Sequence, residues 1–197
     1  MIVHILSCGI FQLEIEKILP EVKQELLNHN IEIDFVPPAL HVDNKKLKTG
    51  IVNGLEPLKN QKAVLLYGSM CHPELLQIAR DSGVTYPKAH NCIELLFDPE
   101  RKKEIDSAYN VFYMTSGWLK YWHEIFQQGQ GWDPVDARIN FGSYDKILVL
   151  DSGVSNISDE EILEFFDYTQ VPIDIESISL DYFKNVIIEM CQNIIKD

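Results

Sequence analysis

Basic residues are scarce in this chain and long apolar runs are missing. Its 197 residues hold 17 Lys and Arg against 30 Asp and Glu, a net charge of −13. A protein that grips bare phosphate backbone needs clustered cations, so nucleic acid is excluded as an expected partner. No apolar stretch approaches the roughly 20 residues that span a bilayer. The start, Met1-Ile2-Val3-His4-Ile5-Leu6, lacks the basic residues and long apolar segment of a signal peptide. A cytoplasmic protein without a membrane association is therefore expected. Cysteine is sparse, at four residues, and in that compartment the four are expected to be free thiols or ligands rather than disulfides. There is no internal repeat, no low-complexity linker, no Walker loop and no Gly-x-Gly-x-x-Gly fingerprint, so a nucleotide has no motif support.

What is present is a regular alternation of short β-rich runs and helical patterns. The strand candidates are Ile2–Leu6, Glu32–Val36, Ala63–Tyr67, Asn110–Met114, Lys146–Leu150 and Val171–Ser177. Two of them, around Ala63 and Ile147, are continuous apolar runs, as strands covered on both faces require. Helical stripes lie between them: Phe11, Ile15, Ile18, Val22 and Leu26, interrupted by Pro20, then Leu47, Ile51, Leu55 and Leu58. Asn91 with Glu94, and Ser158 with Glu161, have the spacing of an N-cap and its acidic third residue. Gln128 to Tyr144, rich in Gly and polar groups, reads as a loop. Strands alternating with helices predict one α/β domain over residues 1–197, a three-layer αβα sandwich on a mainly parallel, Rossmann-like sheet. The acidity is uneven: residues 151–197 hold 11 acidic and 2 basic side chains.

Ligands of open α/β sheets bind beyond the carboxyl ends of the strands. This sequence puts Ser7-Cys8-Gly9, Pro37-Pro38-Ala39-Leu40-His41, Gly68-Ser69-Met70-Cys71-His72, His90-Asn91-Cys92, Thr115-Ser116-Gly117-Trp118 and Asp151-Ser152-Gly153 at that edge. Val84 to Ala89 reads as a short further strand ahead of His90. Three of four cysteines land there, and each precedes or opens a helix, where the macrodipole favours thiolate. Thiolate is the form that binds metal or attacks an electrophile. Cys8, Cys71, His90 and Cys92 together have the donors of a three-thiolate, one-imidazole site for zinc or an iron–sulfur cluster. The bland alternative is small, inert residues at tight turns. Cys191 sits on an apolar stripe and reads as core.

Other edge residues admit two readings each. His41 is either an acid–base group or a structural loop histidine. Tyr67-Gly68 leaves room for a ligand near the backbone or for a plain tight turn. Trp118, Tyr121, Trp122 and Phe126 form an aromatic stripe that reads mainly as core, with Trp118 closest to the edge. Tyr67, Gly68, Thr115 and Trp118 are thus the candidate ligand-contacting positions.

The string Pro87-Lys88-Ala89-His90-Asn91-Cys92-Ile93-Glu94-Leu95-Leu96, followed by Phe112-Tyr113-Met114-Thr115-Ser116-Gly117-Trp118, resembles the family of proteins catalogued as domain of unknown function 1638. Cys8-Gly9, Leu40-His41, Tyr67-Gly68 with Cys71, Phe141-Gly142-Ser143-Tyr144 and Leu150-Asp151-Ser152-Gly153 follow in the same order. The resemblance implies a bacterial or archaeal protein of this length, in some cases neighbouring corrinoid methyltransferases in anaerobes and methanogens. Its recurrent positions correspond to Cys8, His41, Cys71, His90 and Cys92. One departure is local: the family usually has Gly around the third-strand cysteine, where this chain has Met70 and His72.

Three functions remain in view. The first is a metal-binding protein with Cys8, Cys71, His90 and Cys92 as ligands and His41 beside them, linked through the resemblance to corrinoid-dependent one-carbon chemistry. The second is a cysteine-dependent transferase or hydrolase acting on a small molecule through Cys8 or Cys92, with His90 or His41 as base. The third is a non-catalytic module that binds a small molecule or a corrinoid-system protein.

Overall fold

A computed structural model describes residues 1–27 and 29–196, the side chains of Ala39 and His41 excepted. In chain order the elements are β1 (Ile2–Cys8), α1 (Gln12–Glu25), β2 (Asn30–Val36), α2 (Asn44–Leu55), β3 (Ala63–Leu66), α3 (Leu75–Ser82), α4 (Cys92–Leu96), α5 (Pro99–Ala108), β4 (Val111–Thr115), α6 (Ser116–Lys120), α7 (Pro134–Phe141), β5 (Lys146–Asp151), α8 (Asp159–Thr169), β6 (Ile173–Ser177) and α9 (Asp181–Lys196). Each of the six expected strands forms. All pair in parallel, in two three-stranded sheets ordered β2-β1-β3 and β4-β5-β6. The protein is a mixed α/β structure of two compact units: Met1–Leu96 with Leu180–Asp197, and Phe97–Ser179.

In the first unit β1 is central. Val3, Ile5, Leu6, Ser7 and Cys8 are all buried, so both of its faces are covered, the signature of a parallel strand between helices. β3 is buried throughout. On its outer side Thr85 extends the parallel pairing by one bridge, through Leu65 N–H to Thr85 O at 2.8 Å and Thr85 N–H to Ala63 O at 3.1 Å. That is the short strand expected near Val84, reduced to one residue. α1 packs on β2 and α9, and α2 on β1, β2 and α3. Pro20 lies inside α1 without ending it. Gly54 lets α2 sit close to β1, because a methyl there would come within 2.8 Å of the Leu6 side chain.

The expected caps are in place. Asn91 Oδ1 accepts from Glu94 N–H at 3.1 Å, and Ser158 with Glu161 forms a full capping box at the start of α8. One expectation fails. Residues 128–144 are not a loop throughout, because they contain α7. Its start is written in Asp133-Pro134-Val135-Asp136: a capping box from Asp133 and Asp136, with Pro at the first helical position. Ala137 and Phe141, four apart, face the core. Of the aromatic stripe, Trp122 and Phe126 are core, the latter on the π-helical turn His123–Gly129, while Trp118 on α6 and Tyr121 just after it are half-buried. Phe126 stacks on Trp132 with ring centres 5.6 Å apart, and Phe141 meets Phe112 edge-on at 4.9 Å. Among the described residues no helix is long and apolar enough to cross a membrane.

Candidate thiol site at the carboxyl edge

The order β2-β1-β3 creates a switch point. The chain leaves β1 for a neighbour on one side, then returns across it to β3 on the other. In parallel α/β sheets the crevice between two such strands is where ligands sit. Here it lies beyond Cys8, the last residue of β1, and Tyr67, the first after β3. Ser7 pairs with Leu66, so one step further Cys8 stands beside Tyr67, with both side chains on the same face of the sheet.

Close-packed loops build the rest of the site. A methyl on Gly68 would lie 2.3 Å from Asn91 Cα and 2.6 Å from His90 O. What approaches the backbone at Gly68 is therefore the chain itself. Ser69 N–H donates to Ala89 O at 2.9 Å and Met70 N–H to His90 O at 2.8 Å. These bonds fasten the Cys71 loop to the turn that opens α4, with the backbone of Cys92 against the Cys71 sulfur. Gly9 also packs closely, with Val36 O and Pro38 Cδ both 2.8 Å from a would-be methyl.

The electrostatics follow from burial. Cys8 is 4% exposed. Desolvation pushes its thiol up to about 11, against the pull of the Ile10 backbone and the Tyr67 hydroxyl, while the nearby Cys71 adds to the rise. Burial also raises Cys71, opposed by the backbone of Gly68 and Cys92. Backbone contacts that favour a thiolate are N–H donors. Both thiols are free and reduced. The Tyr67 hydroxyl is held far above its ordinary range, first by burial and then by the two thiols. It feels the Cys8 sulfur, yet it is buried without a partner at hydrogen-bonding geometry among the described residues.

The structure thus brings Cys8, Tyr67, Cys71 and the backbone of Cys92 together. Cys92 itself is half-buried at the first position of α4. His90 is turned outward: its side chain is 63% exposed, and its Nδ1 and backbone N–H both reach Glu94 Oε2 at 2.9 Å. Among the described residues no three His, Cys, Asp or Glu side chains stand in a ready metal-holding group. The sulfur donors suit a soft cation, but the imidazole would have to leave Glu94 to join them. The side chain of His41 lies outside the described residues.

Thr115 and Trp118 belong to the second unit. Thr115 Oγ1 accepts from Trp118 N–H at 3.2 Å and caps α6, and the Trp118 ring lies 5.8 Å from Phe126. His72 is buried, and its Nδ1 accepts the Glu74 N–H at 3.0 Å. That bond puts the ring proton on Nε2 in the neutral form and makes His72 a local cap ahead of α3. Two features escaped the sequence reading. The hydroxyl of Tyr67 is one. The other is Glu14, fully buried in α1, whose place three after Phe11 and four before Ile18 puts a carboxylate on the apolar stripe.

The model of the family described as "Protein of unknown function (DUF1638)" matches residues 35–187. The chain belongs to that family. The matched span includes Cys71, His90 and Cys92 and begins after Cys8. No curated protein and no solved structure matches the chain.

Proposed function

We propose that this family member binds a thiophilic metal centre, zinc or an iron–sulfur cluster, in the β1/β3 crevice. Cys8, Cys71 and Cys92 would supply thiolates. His90 would supply an imidazole after breaking from Glu94, and His41 would stand beside the site as an acid–base group. The observation that carries this reading is the approach of the buried Cys8 thiol, at the end of β1, and the half-buried Cys71 thiol, in the loop after β3, with backbone N–H donors at both sulfurs. Such donors suit a thiolate, while burial without a cation keeps the thiol protonated. A bound cation resolves that conflict, because it deprotonates a coordinating thiol outright. A free nucleophilic cysteine is less well supported, since Cys8 near 11 carries almost no thiolate at neutral pH. When bound, the centre would supply Lewis acidity or electron transfer according to its identity.

Elemental analysis and a visible spectrum of the full chain purified without oxygen test the reading. Stoichiometric zinc or iron that is lost in Cys71→Ser supports it, and protein that neither contains nor takes up metal refutes it. The same reading includes the finer fold expectation of a three-layer αβα sandwich on a mainly parallel sheet. The helices that link its parallel strands support this for the first unit, because right-handed crossovers send α1 and α2 to opposite faces.

A further inference from the structure

We propose that the edge of the second unit's sheet, β6 with the flank of α8 beside it, takes up an extended cationic segment of another protein as an added strand. Among the described residues β6 pairs only with β5. Ile147 N–H donates to Pro172 O and Ile178 N–H to Asp151 O, both at 2.8 Å. Backbone groups alternate in direction along a strand, so the even-numbered residues bond β5, and the N–H and C=O of Ile173 and Ile175 point away from the sheet. An open edge of this kind is a template for another chain. The side chains around it say what that chain carries. Phe112, in line with Ile147 and Ile173 across the sheet, meets Phe141, and so does Phe165 of α8. α8 therefore lies on the face that carries Ile175, which is 51% exposed. Around α8, Tyr168 and Glu164 share one flank, where they reach Trp132 O and His123. Phe166 falls on the opposite flank with Leu163 next to it. A right-handed crossover from β5 to β6 turns that flank towards β6. Phe166 and Leu163 are 36% and 60% exposed, so they border the same apolar strip as Ile175. The other face of β6 carries Asp174, beside Lys146 at 2.9 Å, and Glu176, in a two-pronged pair with Arg101. α8 adds Asp159, Glu160, Glu161, Glu164 and Asp167, and no Lys or Arg. A segment with apolar side chains towards the strip and Lys or Arg towards Asp174 and Glu176 matches both faces, and the acidic helix attracts it. A second copy of this chain fits less well. Antiparallel pairing of two β6 strands would set Asp174 against Glu176 and bring two acidic α8 helices together.

The test is fluorescence anisotropy of a dye-labelled peptide of alternating Val and Lys, titrated with the full-length reduced protein. Binding is saturable at low salt and weakens as salt is added. It falls about tenfold or more in Ile175→Asp and in Leu163→Asp, although each adds a charge that by itself would attract the peptide. Leu27→Asp, at an exposed apolar position in the first unit, matches the wild type. Urea melts confirm that the variants fold, and Leu163→Asp carries the comparison if Ile175→Asp does not. Peptides N-methylated on alternate backbone nitrogens separate strand addition from charge attraction: one methylated set loses binding and the other keeps it. Absence of saturable binding, undiminished binding in the folded Asp variants, or equal binding by both methylated sets overturns the proposal. So does a wild type that sediments as a dimer and becomes a monomer in Ile175→Asp, because a second copy then occupies the edge.

Discussion

Removing the Tyr67 hydroxyl should stabilise the metal-free protein, an unusual sign for a buried substitution. Tyr67→Phe keeps the ring and its packing between β3 and its neighbours and deletes one oxygen that has no partner at hydrogen-bonding geometry among the described residues. An unsatisfied buried hydroxyl costs about 1–3 kcal/mol. The oxygen does have a weak favourable interaction with the Cys8 sulfur, so the net gain is placed at the low end, about 1 kcal/mol. In a chain of this size that corresponds to a rise in melting temperature of about 2–4 °C. The assay is urea unfolding of reduced, chelator-treated protein, read as a midpoint shift at constant slope. A loss of about 1 kcal/mol instead would mean that the hydroxyl is already paired, for instance through a buried water, and would refute the reasoning.

Three further outcomes follow from the same structure. Gly68→Ala forces a methyl to 2.3 Å from the Asn91 backbone, so it should destabilise by about 2–3 kcal/mol in the same melts and loosen the Cys71 loop in amide exchange. The folded pKa of Cys8, about 11, lies above the value of 9.0 expected unfolded. The folded state therefore holds its proton longer, and stability present below pH 9 falls as the pH rises to 11, by up to about 3 kcal/mol. Cys8→Ala should flatten that part of the profile, and an unchanged slope would contradict the burial argument. Asp133→Ala removes the cap of α7 and should cost about 1 kcal/mol, with amide protection lost first over residues 134–141.

Strands were legible because their signal is local. The apolar runs at Ala63 and Ile147 announce elements covered on both faces, and both strands formed where expected. Strand order was not legible, because it depends on which faces the connecting helices cover. Yet that order turns Cys8 and Tyr67 into neighbours. α7 was hidden by composition: Gly and polar residues dominate 128–144, while the two-residue cap that starts the helix is easily passed over. The thiol cluster was legible as three cysteines at one edge. The outward turn of His90 was not, since Glu94, one helical turn later, decides it. Nor was the state of Tyr67, because a missing partner is a property of the packed fold and leaves no mark in the sequence.

The central claim is that sulfur from Cys8 and Cys71 meets a metal ion in the β1/β3 crevice. X-ray absorption at the metal edge of anaerobically purified or zinc-loaded full-length protein tests it most directly. The account predicts a shell of sulfur scatterers at about 2.3 Å that shrinks by one in each of Cys8→Ser and Cys71→Ser. A shell of nitrogen and oxygen alone at about 2.0 Å, unchanged in those variants, would contradict it.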